Sequence, residues 1–228
     1  MKVSVILAAA GNAERMNGIH KQLAMLRGKP VIAYSMLVFE RIEEVSEIIV
    51  AARQCDWDII SNIAEENGIS KFAGCTDGGE TRQQSVINAV SRISADTQLI
   101  AVHDAARPLI KAEYIKDCIA AADEYGGAVL GVPVKDTIKT VTDGMVSGTP
   151  DRSTLYITQT PQIFRRDAYL EGIKNAEANG LDFTDDCQLV EAVGARVRMV
   201  PSDYTNIKIT TPEDMSLAET IMSNGGYQ

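Results

Sequence analysis

Apolar residues along this chain fall into two rhythms. Short apolar stretches at Val3 to Leu7, Glu47 to Ala51, Leu99 to Val102, Ala128 to Val132 and Arg196 to Val200 suit strands covered on both faces, and a further strand is expected just before Thr76. Between them, apolar positions repeat at helical spacing. Val31 to Arg41 reads as a helix with Pro30 at its first position, and Asp56 to Asn67 as one capped by Asp56 and stopped by Gly68. A third helix follows Gly78 and Gly79, with Val86, Ala89, Val90 and Ile93 as its apolar face. Lys111 to Tyr125 and Arg165 to Asn179 continue the series, and the stretch from Thr184 to Cys187 opens another helix. Thr211 and Pro212 have the cap and first-position chemistry of a last one. Strands alternating with helices predict one α/β domain over residues 1–228, a Rossmann-like, mostly parallel sheet flanked by helices.

One segment breaks the alternation. From Pro133 to Pro161 there is no helical period, but extended runs at Asp136 to Val141 and Leu155 to Thr158 flank a turn at Asp143-Gly144. So long a structureless loop is unusual in a compact domain, so residues 134–160 are expected to form a projecting β-hairpin arm. A two-stranded arm is marginally stable by itself, which points to packing on a second copy of the chain.

Composition narrows the partners. The net charge of −9, from 22 basic and 31 acidic residues, speaks against a nucleic-acid surface or an anionic membrane. No apolar run approaches membrane-spanning length, and the N-terminus enters a strand at once, so a soluble, cytoplasmic protein is expected. The four cysteines, Cys55, Cys75, Cys118 and Cys187, form no C-x-x-C pair and are expected to be reduced packing residues. A small anionic ligand remains compatible with this charge if the few cations converge on one cleft.

Candidate chemistry lies where strands end. The first strand runs into Ala8, Ala9, Ala10 and Gly11, whose short side chains let a phosphate approach the backbone, and Arg15 and Lys21 follow as cations. A dinucleotide-binding turn is the alternative, although its glycine positions hold Gly11, Ala13 and Met16 here. Gly78 and Gly79 before a helix offer amides, and Ser85 a hydroxyl, to a ligand at the same sheet edge; an ordinary capped helix start is the plainer reading. Asp104, at the tip of a strand, suits Mg²⁺ shared with phosphate oxygens, or alternatively a cap paired with Arg107. Adjacent on an extended backbone, His103 and Asp104 point to opposite faces and form no dyad. Lys208, shortly before the last helix, is a solvated lysine or a ligand. These groups together suit phosphoryl or nucleotidyl transfer, which needs positioning and charge neutralisation more than a covalent nucleophile.

The motifs Ala9-Ala-Gly-x-x-x-Arg15-Met, Lys21-Gln, Asp77-Gly-Gly-x-x-Arg82-x-x-Ser85, Val102-His-Asp104-Ala-Ala-Arg107-Pro, Asp136-Thr137, Asp151-Arg152, Gln159-Thr160-Pro-Gln, Thr184-Asp-Asp and Asn206-Ile-Lys208 occur in one order. Together they resemble the 2-C-methyl-D-erythritol 4-phosphate cytidylyltransferases of the non-mevalonate isoprenoid pathway, over essentially the whole chain. The resemblance implies a homodimer in which the polyol phosphate attacks the α-phosphorus of CTP, with Mg²⁺ bound and pyrophosphate leaving. By position it implies Ala9, Ala10, Gly11, Gly79 and Ser85 at CTP, with Arg15, Lys21 and Lys208 stabilising the transition state. Asp104 would serve the metal, and Arg107, Thr137, Arg152, Thr160 and Thr184 would line the polyol-phosphate site. The chain departs from the family at Ala13, usually glycine, and at His20, usually proline, so a different loop path is expected there. Ribitol-5-phosphate cytidylyltransferases are similar too, but tend to carry valine where this chain has Ala106.

Overall fold

The structure, a computed structural model, describes residues 1–11 and 20–225. Its centre is a seven-stranded sheet of β1 (Val3–Ala8), β4 (Val45–Ala52), β5 (Phe72–Asp77), β6 (Leu99–Asp104), β7 (Gly127–Pro133), β10 (Tyr156–Arg165) and β11 (Arg198–Pro201), in the order β11-β7-β10-β6-β1-β4-β5. β1 pairs in parallel with β4 and β6, β4 with β5, and β7 with β11. β10 alone runs antiparallel, inserted between β6 and β7.

The helices are α1 (Val31–Glu40), α2 (Trp57–Glu66), α3 (Arg82–Val90), α4 (Ala112–Tyr125), α5 (Arg166–Asn179), α6 (Asp186–Glu191) and α7 (Pro212–Asn224). Strand alternation sorts them into layers. Val3, Val5 and Leu7 of β1 face one core with Ile32, Met36 and Phe39 of α1, Ile60 of α2 and Ile115 and Ile119 of α4. Ile6, with Ile100 and Val102 of β6, faces a second core built by Val86 and Ala89 of α3, Tyr169 and Ile173 of α5, and Leu189 and Val190 of α6. A smaller third cluster docks Ala218 and Met222 of α7, with Ile209, onto Leu26 and Val31. Leu26 lies in a ribbon of β2 (Met25–Leu26) and β3 (Lys29–Pro30), whose turn residues Arg27 and Gly28 have φ of 48° and 86°.

Several expectations are refined. The second sheet strand is three residues longer than expected, running Val45–Ala52. Pro30 closes β3 and precedes α1 instead of opening it. Asp56 makes no side-chain cap for α2; it ends a short 3₁₀ turn, Gln54–Asp56, and its buried carboxylate is bonded elsewhere. Thr211 does form a capping box, with Asp214, and Pro212 is the first residue of α7.

Between β7 and β10 an exposed hairpin, β8 (Thr140–Thr142) with β9 (Met145–Gly148), turns at Asp143 and Gly144 with φ of 50° and 77°. The arm is shorter than residues 134–160, because its expected return run starts β10 of the central sheet. Ile138, Val141, Met145, Val146, Tyr156 and Ile157 are exposed along this region.

All four cysteines are free, with Cys55 exposed and the other three buried. Burial pushes the Cys75 thiol up to about 12 and those of Cys118 and Cys187 further in the same direction. A thiol-specific reagent at pH 8 is therefore expected to label one cysteine per native chain, and all four after denaturation. Labelling of more than one in the native protein would contradict this packing.

Candidate active site

The order of strands sets the location. From β1 the chain steps outward to β4 and β5, then returns to place β6 on the other side of β1, so β1 and β6 flank a switch point at their C-terminal ends. Ala8 and Asp104 are register partners there. A cleft of about 760 Å³ opens above them, lined by Ala9, Ala10, Gly11, Lys21, Gly79, Ser85, Asp104 and Lys208 among others.

Small residues shape the cleft. Gln22, almost fully buried, donates from Nε2 to the Ala9 carbonyl at 2.8 Å and holds the path of the chain leaving β1. A Cβ on Gly78 would collide with that of Ala10, so glycine there lets the β1 and β5 ends touch. Gly79 precedes α3 without belonging to it. The helix starts at Arg82, capped by Thr81, whose hydroxyl accepts from Gln84 N–H at 3.1 Å. Gly79 N–H donates to Ser85 Oγ at 2.9 Å, and the Ser85 hydroxyl donates to the Thr81 carbonyl at 2.9 Å. The amide and hydroxyl read as ligand contacts are thus bonded to each other.

Asp104 is the electrostatic centre. Lys208 Nζ and Arg107 Nε lie 3.0 and 3.3 Å from its Oδ2, and Arg82 Nε lies 3.6 Å from its Oδ1. Burial opposes ionisation, but Lys208, Arg82 and Arg107 more than offset it and hold the carboxyl well below the usual range. The expected pair with Arg107 is therefore present, but as one of three. Arg107 Nη1 also donates to the Asn206 carbonyl at 2.8 Å, and Asn206 Nδ2 donates to Gln159 Oε1 and the Thr160 carbonyl.

His103 faces the opposite way, as strand alternation requires, and packs edge-on against Phe39. Its Nε2 lies 3.3 Å from the Arg107 carbonyl, which only accepts, so Nε2 carries the proton and Nδ1 accepts from the Thr160 hydroxyl at 3.0 Å. Thr160 Oγ in turn accepts from Asp104 N–H at 3.0 Å. Burial pushes the His103 pKa down to about 4, so the ring is neutral at pH 7. It supports the Asp104 backbone and takes no part in a dyad.

A smaller pocket of about 140 Å³ adjoins the cleft and holds Arg107, Thr158 and Thr160; Arg82, Asp104, Thr184 and Lys208 line both. Of the residues singled out from sequence, Ala9, Ala10, Gly11, Lys21, Gly79, Ser85, Asp104, Arg107, Thr160, Thr184 and Lys208 thus meet around one opening. Thr137 and Arg152 do not. Both are exposed on the arm side of the fold, and Arg152 Nη1 donates to the Lys135 carbonyl at 2.6 Å. Arg15 lies outside the described residues, as does Ala13.

Sequence reading gave no role to Arg82, Gln22, Gln159 or Asn206, although Arg82 stands in the Gly-Gly-x-x-Arg motif. His20 proves to be tied down: its Nδ1 is 3.0 Å from Asp56 Oδ1, while Arg53 Nε and Nη2 reach Asp56 Oδ2 at 3.2 and 3.1 Å. Among the described residues no three His, Cys, Asp or Glu side chains converge on one point. A single carboxylate, Asp104, fits a cation such as Mg²⁺ that takes most of its ligands from phosphate and water.

Replacing Asp104 tests the cluster. Asp104→Asn leaves three cations without their common anion, which is expected to cost about 3 kcal/mol and lower the melting temperature by about 6–12 °C. Inorganic triphosphate should raise the variant's melting temperature more than the parent's. An unchanged melting temperature would show that the cations do not depend on this carboxylate.

A model of the 2-C-methyl-D-erythritol 4-phosphate cytidylyltransferase family matches residues 3–224. Proteins of that name from Caldanaerobacter subterraneus subsp. tengcongensis and Geotalea uraniireducens are 42% and 40% identical, over 97% and 98% of this chain and 99% and 98% of theirs. Among solved structures, 4-diphosphocytidyl-2C-methyl-D-erythritol synthase from Anaerococcus prevotii superposes with a TM-score of 0.88 at 30% identity, covering 97% of this chain and 96% of that one. The Francisella tularensis 2-C-methyl-D-erythritol 4-phosphate cytidylyltransferase gives 0.82 at 30% identity, covering 96% and 99%.

Proposed function

The chain belongs to the 2-C-methyl-D-erythritol 4-phosphate cytidylyltransferase family, and on that premise we propose how its site carries out the transfer. The enzyme joins CTP and 2-C-methyl-D-erythritol 4-phosphate. A phosphate oxygen of the polyol phosphate bonds to the α-phosphorus of CTP, the bond to the β-phosphate oxygen breaks, and pyrophosphate leaves with 4-diphosphocytidyl-2-C-methyl-D-erythritol as product. The observation that carries the assignment of roles is the shared wall of the two cavities, where Asp104, Arg82 and Lys208, with Arg107 beside them in the smaller pocket, lie between a small-residue loop and a threonine-lined pocket.

CTP takes the large cleft, its phosphates along Ala9, Ala10 and Gly11 and its base toward Gly79 and Ser85. The polyol phosphate takes the smaller pocket, held by Arg107, Thr160 and Thr184. Lys21 and Lys208, with Arg15, neutralise the charge that grows on the pentacoordinate phosphorus and the leaving pyrophosphate. Asp104 would hold Mg²⁺ together with CTP phosphate oxygens, and the ion would neutralise charge on the triphosphate. No group in the cleft needs to act as a covalent nucleophile, in keeping with a neutral, buried His103.

The site is completed by a second subunit. The hairpin exposes Val141, Met145 and Val146, and Thr137 and Arg152 at its base line neither cavity. Docked on a two-fold mate, the hairpin buries this surface and brings both residues to the mate's polyol-phosphate pocket. The dimer works in the cytoplasm on small molecules, with no nucleic acid or membrane involved. None of the described helices is long and apolar enough to cross a membrane.

Incubation with CTP, Mg²⁺ and either polyol phosphate, followed by pyrophosphate release, tests the substrate. Release with 2-C-methyl-D-erythritol 4-phosphate is expected. Release only with ribitol 5-phosphate would reassign the second substrate despite Ala106, and none with either, alongside NADH binding, would remove the transferase reading.

Subunit exchange tests the arm. Lys21→Met and Arg152→Glu are each expected to be nearly inactive as homodimers. If Arg152 serves the partner's site, a mixed dimer has one site free of both lesions. Random pairing makes about half the dimers mixed, so about a quarter of the parent activity should return. No recovery in dimers shown to have exchanged would restrict Arg152 to its own subunit.

A further inference from the structure

Arg82 is the first residue of α3, where the helix dipole disfavours a cation, and no acidic residue of the first turn offsets it. Its compensation comes from outside the helix. Arg82 Nη1 is 2.7 Å from Asp186 Oδ2, and its Nε faces Asp104 Oδ1. Asp186, fully buried at the first position of α6, also accepts the Tyr169 hydroxyl at 2.6 Å, and its N–H donates to Gln162 Oε1 at 2.9 Å. The residues beside Arg82 reach the same segment. The Thr81 hydroxyl donates to Asp182 Oδ1 at 3.0 Å, Gln83 Nε2 donates to the Leu181 carbonyl at 2.9 Å, and Gln83 Oε1 accepts from Phe183 N–H at 2.8 Å. Three consecutive side chains therefore grip residues 181–186, and inside that grip stands Thr184, which lines both cavities.

We propose that Thr81, Arg82 and Gln83 form a clasp that fixes Thr184 against Asp104 and so sets the width of the passage through which the two substrates meet, with Arg82 as its central positioning residue. The inference rests on the two-cavity reading of the transferase. Its physical basis is that in-line transfer depends on the separation of the reacting atoms, and the two walls of the passage belong to segments about eighty residues apart in sequence, Asp104 ending β6 and Thr184 preceding α6. Arg82 pairs with both walls, through Asp104 on one side and Asp186 on the other. The clasp implies a split in kinetics: loosening it should weaken the polyol phosphate, bound beside Thr184, far more than CTP.

Gln83 and Asp186 line neither cavity, and Gln83→Leu, which changes no charge, acts through position alone. Gln83→Leu and Asp186→Asn are expected to raise KM for the polyol phosphate about tenfold while leaving KM for CTP within about twofold, and Arg82→Gln to lower kcat by about thirtyfold as well, with partial recovery in Arg82→Lys. Hydrogen exchange of residues 181–188 should quicken in all of them. Faster exchange with both KM values unchanged in Gln83→Leu and Asp186→Asn would overturn the positioning role, and unchanged exchange in Gln83→Leu would overturn the clasp itself. If Asp186→Asn fails to fold, Gln83→Leu carries the same test. Should the parent enzyme release no pyrophosphate, the transferase reading fails on its own, and the exchange measurement still decides whether the clasp holds the segment.

Discussion

Every part of the site leans on one buried carboxylate. Asp104 is nearly inaccessible to solvent, yet it stays ionised because three cations from three segments meet it: Arg82 from α3, Arg107 from the turn after β6, and Lys208 from the irregular stretch before α7. Desolvating such a group is costly, and the cost is offset only while all its partners hold their places. The dependence also runs the other way. The three cations repel one another across a few ångströms, and the anion offsets that repulsion where the Ile209 N–H to Ala106 carbonyl bond and the Arg107 to Asn206 carbonyl bond already bring two of their segments together. The pattern ties α3 and the stretch before α7 to the tip of β6 and the turn that follows it.

The fold holds that tip rigid by means that sequence periodicity does not express. Thr160 on β10 accepts from the Asp104 amide and donates to His103, which donates onward to the Arg107 carbonyl, so the strand end and the turn after it are locked from behind. This requires β10 to lie against β6 in the antiparallel direction. A parallel neighbour would enter from the other end of the sheet and could not follow the arm directly. The single reversed strand thus serves the arm and the catalytic edge together: it carries the chain back from the hairpin and delivers Thr160 behind Asp104.

Regular elements were legible where local chemistry decides them. The Thr211-Pro212 start of α7, the Asp143-Gly144 turn and the apolar core strands all depend on residues close in sequence. Asp56 misled because a cap residue has the same composition as a buried ion-pair partner, and its contacts with nearby Arg53 and distant His20 distinguish them. β10 was read as the return of an arm because Pro161 and the polar Gln159, Thr160 and Gln162 break the pattern of a central strand; in the fold those polar residues are buried and bonded to Asn206, His103 and α6. Candidate site residues at strand ends and in glycine loops were readable as types. Arg82 was passed over because its meaning lies in two carboxylates, Asp104 and Asp186, that no spacing rule connects to it.

The charge of the site bears on how an acidic chain handles polyanions. The described residues that line the two cavities carry four positive charges, on Lys21, Arg82, Arg107 and Lys208, and three negative ones, on Glu80, Asp104 and Asp185, a net excess of one. A chain of net charge −9 offers little long-range attraction to CTP, so capture depends on short-range contacts and on cations that accompany the nucleotide. The small local excess has a chemical advantage. A strongly cationic cleft would bind the departing pyrophosphate as firmly as the triphosphate, stabilising ground state and product along with the transition state, which does not raise turnover. Cations already paired with carboxylates are instead held in fixed directions at little reorganisation cost. They respond most strongly to the charge that appears between them during transfer, which is where preorganised dipoles and ions stabilise a reaction most.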